Sequence, residues 1–284
     1  MPTSVLFYLI FISQIWLLSY FYPRKILDRI RFVIKNHPPQ EYPKLYPESL
    51  DKVQRVQQIY KFLNYIILAI GIWLLVDLAM LSSADNHDNF NEGIPLMYGM
   101  VQFIPMMMLE VLGYKQFKLM KQKDTRTNRK AELQPRRLFA YVSPYLIFSA
   151  VVMYIFLIAF ELYMTQYTVT FDFMIKIGSV SLANLLFIGI TLFNLYGKKL
   201  DPYQATNERV KQTKFAIRSM VFISMFVSLF MMAQTLVNTY ELGTVEIIIN
   251  SLYFQVLAIF SIGRIIKNFK IEDIDFDVYK AESS

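Results

Sequence analysis

Cysteine is absent from the 284 residues, which excludes disulfides, thiolate metal sites and cysteine nucleophiles. Histidine is nearly absent: His37 and His87 are the only two, too few for a zinc or haem ligand set, so neither a metal nor a cofactor is expected. Charge is also scarce. Asp, Glu, Lys and Arg make up 18% of the chain and hydrophobic residues 55%, whereas soluble domains carry roughly 25% charged residues. With a mean hydropathy of +0.35, this balance excludes a soluble enzyme, a disordered chain and a fibrous repeat. Glycine is low at nine residues, and no small-xxx-small pattern is sustained. Transporters that rock around broken helices usually show more interruption than this, so a fairly static bundle is expected.

What the chain has is long apolar runs. Crossing a ~30 Å hydrocarbon core takes about 20 mostly apolar residues in a helix that satisfies its own backbone. Seven windows approach that length: 4–22, 62–81, 94–112, 138–160, 174–196, 219–237 and 245–263. The expected fold class is all-α, a seven-transmembrane-helix bundle forming a single membrane domain over 1–284. Of its prolines, Pro95, Pro105 and Pro144 are placed to kink or break spans.

Basic residues give the expected orientation, because Lys and Arg in short loops are retained in the cytoplasm. Loops 23–61, 113–137 and 197–218 and the tail 264–284 hold 28 of the 29 basic residues. Loops 82–93, 161–173 and 238–244 hold none, and Lys176 is the exception. The N-terminus is therefore expected outside and the C-terminus in the cytoplasm. Residues 1–4 carry no basic side chain and no small-residue cleavage pattern follows the first run, so this segment reads as an anchor rather than a signal peptide. With no Asn-x-Ser/Thr sequon, the expected location is a bacterial inner membrane. Topology accounts for the pI of 9.3. It gives no reason to expect nucleic-acid binding, whereas anionic lipid at the cytoplasmic face is an expected partner.

The 23–61 loop begins with Ile26, Leu27, Ile30, Val33 and Ile34 at helical spacing, opposed by Arg24, Lys25, Asp28, Arg29, Arg31 and Lys35. That pattern predicts an amphipathic helix in the headgroup region. The stretch after it, with Pro38, Pro39, Tyr42, Pro43, Tyr46 and Pro47, disfavours helix. It is either a docking segment for a partner or a rigid connector, and a helix is predicted to start after Ser49. The tail carries Glu272, Asp273, Asp275 and Asp277 among apolar residues. It is expected either to fold back on the basic loops or to remain a solvated terminus.

Candidate chemistry is limited to polar residues in the spans. No charged residue falls at mid-span; Asp77, Glu110, Glu161, Asp172, Lys176 and Glu246 all lie near span ends, and an Asp77–Lys176 ion pair is the candidate at the outer level. Gln14, Gln102, Asn184 and Gln255 place one deep amide on each odd-numbered span. An unpartnered amide in hydrocarbon costs several kcal/mol, so these four should form a polar bundle interior, either lining a pathway or joining helices. The methionines at 106–108 and 231–232 read as adaptable packing.

Three functions stay open. The first is a non-catalytic membrane subunit, whether scaffold, accessory or sensory, with a protein partner or a second copy of itself. The second is an uncoupled facilitator for a small polar solute, and the third a lipid-modifying enzyme, for which no catalytic constellation is present. Seven spans are shared with retinal proteins, sugar facilitators and heptahelical receptors, but no residue signature of any of these is found.

Overall fold

The computed structural model of the protein describes residues 2–83, 93–124, 136–197 and 200–281. His87, most of the 82–93 loop, and residues 125–135 with Arg129 lie outside the described residues. Every regular element among the described residues is helical. Seven helices are long and apolar enough to cross a membrane: Val5–Asn36, Leu50–Met80, Ile94–Lys123, Pro144–Met164, Phe171–Tyr196, Thr206–Thr239 and Val245–Asn268. The chain is thus a multi-pass integral membrane protein by length and composition.

Several helices run past the apolar windows. α1 (Pro2–Trp16) passes through a π-turn at Leu17–Phe21 directly into α2 (Tyr22–Asn36). The basic sequence after residue 22 therefore continues the first span without a break. α3 (Leu50–Ser83) and α4 (Ile94–Lys123) are likewise longer than their windows. Pro95 sits in the first turn of α4, where its missing N–H costs nothing, as does Pro144 at the start of α6 (Pro144–Met164). Pro105 alone of the three is interior, and α4 runs on through it. A short α5 (Leu138–Tyr141) precedes α6; α7 (Phe171–Tyr196), α8 (Thr206–Thr239) and α9 (Gly243–Ala258) follow. A second π-turn at Ile259–Gly263 leads to α10 (Arg264–Asn268), and two 3₁₀ turns, Ile271–Asp273 and Phe276–Tyr279, end the described chain.

Contacts divide the chain into two compact units. The first holds residues 1–126, 200–204 and 244–284. Its core joins Phe7, Phe11 and Ile15 of α1 to Ile67 and Leu78 of α3, Tyr98 of α4, and Ile247 and Ile248 of α9. A second cluster, Leu18, Tyr22, Phe254, Ala258 and Ile262, packs the two π-turn regions together. Close approach is visible at Gly263, where a Cβ would stand 2.7 Å from the Tyr22 hydroxyl. The second unit holds residues 127–199 and 205–243. There α8 packs on both α6 and α7, around Leu157, Val180 and Met232 at one level and Val142, Leu195 and Ile217 at another.

In the first unit, Arg29 of α2 donates from Nη1 to the Ile266 carbonyl at 3.2 Å and from Nη2 to the Phe269 carbonyl. A guanidinium there satisfies carbonyls at the end of α10 and opposes the negative end of the helix dipole. Arg29→Ala is expected to lower stability by about 1–2 kcal/mol and to speed proteolysis of the tail in the detergent-solubilised protein. A cleavage rate and unfolding midpoint equal to those of the parent would refute this cap.

Candidate functional site

Three of the four deep amides lie in the first unit, and two of them, Gln14 and Gln102, belong to one hydrogen-bonded belt. Gln14 donates from Nε2 to Gln102 Oε1 at 2.9 Å, and its own Oε1 accepts from Ser251 Oγ at 2.5 Å. Gln102 Nε2 donates to Ser19 Oγ at 2.8 Å and makes a longer bond, 3.4 Å, to the Gln14 carbonyl. Ser19 Oγ meets the Tyr98 hydroxyl at 3.2 Å, and Tyr98 donates to the Ile67 carbonyl at 3.0 Å. One chain of bonds thus ties α1, the first π-turn, α3, α4 and α9 together.

Local geometry explains the convergence. Tyr98 and Gln102 are one turn apart on α4, and Ser251 and Gln255 one turn apart on α9, so each pair shares a face. Gln14 and Ser19 are five residues apart, a separation that an α-helix points in different directions. The i→i+5 winding that begins at Leu17 brings Ser19 back to the Gln102 side chain that Gln14 also reaches. Gln255 makes its own link to α1, donating to the Ile10 carbonyl and accepting from Ser13 Oγ, both at 2.9 Å. Gln14 and Ser251 are wholly buried and Gln102 nearly so. Among the described residues, the buried side-chain polar atoms without a partner are His37 Nδ1, Gln57 Nε2 and Tyr60 Oη, none of them in the belt. Ser19, Tyr98 and Ser251 carry no mark in sequence that separates them from other span hydroxyls.

Asn184, the fourth amide, lies in the second unit and accepts from Ser224 Oγ at 2.7 Å. The same unit holds the charged site. Glu161 is 1% exposed at its side chain; its Oε2 lies 3.5 Å from Lys176 Nζ and its Oε1 accepts from Thr235 Oγ1 at 2.5 Å. Lys176 also donates to Thr235 Oγ1 at 2.9 Å. Lys176 is thus engaged by Glu161, while Asp77, the partner expected for it, is an exposed residue of α3. The reason is connectivity. Glu161 in the last turn of α6 and Lys176 near the start of α7 are separated by one short reversal, so antiparallel packing puts them at one level. A carboxylate and a lysine flanking a short inter-span turn was the available signal.

A third polar and aromatic cluster joins the proline–tyrosine segment to the tail, again within the first unit. Pro38 accepts backbone bonds from Glu41 and Tyr42, Pro43–Leu45 is a 3₁₀ turn, Tyr46 Oη donates to the His37 carbonyl at 2.7 Å, and Lys123 Nζ to the Pro47 carbonyl at 2.5 Å. Partial burial pushes the Tyr46 phenol above the usual tyrosine range. Tyr42 packs with Met120, Tyr203 and Tyr279, bordered by Phe117 and Phe276. The His37 ring stacks on Phe276 at 3.9 Å and meets the Tyr42 edge at 4.7 Å. Tyr279 Oη donates to Asp201 Oδ2, while Asp201 Oδ1 accepts the Tyr203 amide at 2.9 Å. The tail is therefore folded back, yet its acids do not make the packing: Glu272, Asp273, Asp275 and Asp277 stay exposed while Ile271 and Tyr279 are buried. Lys280 pairs with Asp277 at 2.7 Å and lies over the Tyr42 ring; the Asp277 carboxylate holds its ammonium above the usual lysine range.

Among the described residues no group of three or more His, Asp and Glu side chains is placed to hold a metal ion. No family model, curated protein or solved structure matches this chain.

Proposed function

We propose that the protein is a non-catalytic integral membrane subunit that binds partners through its cytoplasmic face and the outer surface of its helices. The observation that supports this reading is the closed bonding of Gln14, Gln102, Ser19, Tyr98 and Ser251, in which each amide meets protein partners. A solute pathway needs polar groups free to exchange water or solute. Amides that bond one another instead join helices, each bond contributing ~0.6–2 kcal/mol in a membrane. The distribution of basic residues supports an external N-terminus and places the 37–49 segment and the tail in the cytoplasm. On the same grounds we place α2, whose basic and apolar residues alternate at helical spacing, at the headgroups of anionic lipid. A bacterial inner membrane is the setting that fits this charge bias and the missing sequon.

Thiol labelling tests the reading, since any introduced cysteine is the protein's only thiol. Gln102→Cys, Asn184→Cys and Gln255→Cys are expected to resist a membrane-impermeant maleimide in intact cells, at rates matching Leu185→Cys and Val256→Cys. Rapid labelling at the three amide positions, with the neighbours protected, would reject the subunit reading in favour of a water-lined facilitator.

A further inference from the structure

Residues 275–280 form a turn whose shape is held by its own bonds. Asp275 Oδ1 accepts the Asp277 amide at 3.1 Å, Asp277 pairs with Lys280, and the backbone from Phe276 to Tyr279 is 3₁₀. Side chains three apart eclipse in a 3₁₀ turn, so Phe276 and Tyr279 leave the backbone on one side, with ring centroids 6.3 Å apart. The receiving surface matches these two prongs. His37 offers a flat ring to Phe276, while Tyr203 and the Asp201 carboxylate receive Tyr279. Asp201 is 7% exposed and one of its oxygens is already taken by the Tyr203 amide, which leaves the other for the tyrosine hydroxyl. The fit is incomplete at one point: His37 Nδ1 is buried in this cluster and has no hydrogen-bond partner.

We propose that this surface is a peptide-docking site for a segment of a partner protein with aromatic residues three apart, the second a tyrosine, and that the chain's own tail is its resident competitor. The proposal rests on the subunit reading above and names the partner's chemistry. Asp201 sets the specificity, because a site built around a buried acceptor rejects an analogue lacking the hydroxyl. The unpaired His37 nitrogen is where a partner improves on the tail, by supplying a polar group there. The tail is joined to α10 by a short stretch of chain, and a short tether gives an effective concentration on the order of millimolar. A partner held nearby by other contacts reaches a comparable local concentration and exchanges with it.

The test uses the full-length protein in lipid nanodiscs with a protease site inserted between Asp273 and Ile274, and a fluorescent peptide spanning Ile271–Ala281 as the probe. After cutting and washing, the peptide should bind as read by anisotropy, and at least tenfold more weakly to uncut protein. A peptide carrying Tyr279→Phe should bind cut protein at least tenfold more weakly than the native one. For a freed tail that does not leave, uncut protein carrying Phe276→Ala and Tyr279→Phe provides the second route, and should bind native peptide better than the parent. Cut protein with the parent's unfolding midpoint that fails to bind, or Phe and Tyr peptides that bind equally, would overturn the proposal. So would uncut protein forming dimers that dissociate on cutting, since the occupant would then be a second copy's tail. Peptide failure with the amides protected from thiol reagent discards only the docking site, whereas labelled amides discard the subunit reading itself.

Discussion

Lys176→Met is expected to be among the most destabilising single substitutions in the protein, at about 3–5 kcal/mol. It removes the cation beside a carboxylate whose side chain is 1% exposed, leaving Glu161 with Thr235 as its hydrogen-bond donor. The converse change, Glu161→Gln, should cost less. The Lys176 side chain is 29% exposed and can turn its ammonium toward the headgroups once the carboxylate is gone. Joining Lys176→Met to Glu161→Gln removes both charges and should recover much of the loss, because an apolar or neutral replacement of a buried pair is often tolerated. The measurement is thermal unfolding in detergent, where the first variant should fall by on the order of 10 °C. Strict additivity of the two single effects would show that Glu161 and Lys176 do not stabilise each other, and the ion pair would carry no weight in the unit.

Gly99→Ala should cost about 1–3 kcal/mol by overpacking. A Cβ at this position would stand 2.2 Å from Phe254 Cδ2 and 2.6 Å from its Cγ. Contact at Cγ cannot be relieved by turning the ring, so α4 and α9 must separate. Phe254 has little freedom to yield: it is buried with Leu18, Tyr22, Ala258 and Ile262 and has Phe103 and Tyr253 as ring neighbours. The control is Gly178→Ala or Gly189→Ala, where an added Cβ meets nothing within 4 Å and the higher helix propensity of alanine makes the change neutral or stabilising. Adding Phe254→Leu should return part of the loss at Gly99. Equal unfolding midpoints for Gly99→Ala and Gly178→Ala would contradict the close approach of α4 to α9.

The two sets of glycines show where sequence reading stops. Gly71, Gly99, Gly178 and Gly189 all sit inside apolar windows, and composition gives each the same meaning. The fold separates them: Gly71 faces the Tyr98 hydroxyl and Gly99 the Phe254 ring, while Gly178 and Gly189 face open space. The amides divide in the same way. Depth along a span is legible from residue number, so Gln14, Gln102, Asn184 and Gln255 could be marked as needing partners. Which partners they have depends on helix rotation, and the π-turn at Leu17–Phe21 alters that rotation where no proline or glycine signals it. The Asp77–Lys176 expectation matched residues by depth alone; the pairing with Glu161 follows from which helices are neighbours.

What the sequence determined by itself is whatever depends on local length and composition. Seven apolar stretches are long enough to cross a bilayer, because a membrane helix satisfies its backbone within its own segment and needs no neighbour to be legible. The distribution of Lys and Arg among the loops is equally local, and the orientation proposed rests on it alone. Tertiary structure decided everything that requires two distant residues to meet. Ser13 reaches Gln255 across 242 positions, Ser251 reaches Gln14 across 237, and Tyr279 finds Asp201 across 78. Such bonds form because a polar group removed from water must find a partner, a requirement that marks each residue in sequence but names its partner only when the helices pack.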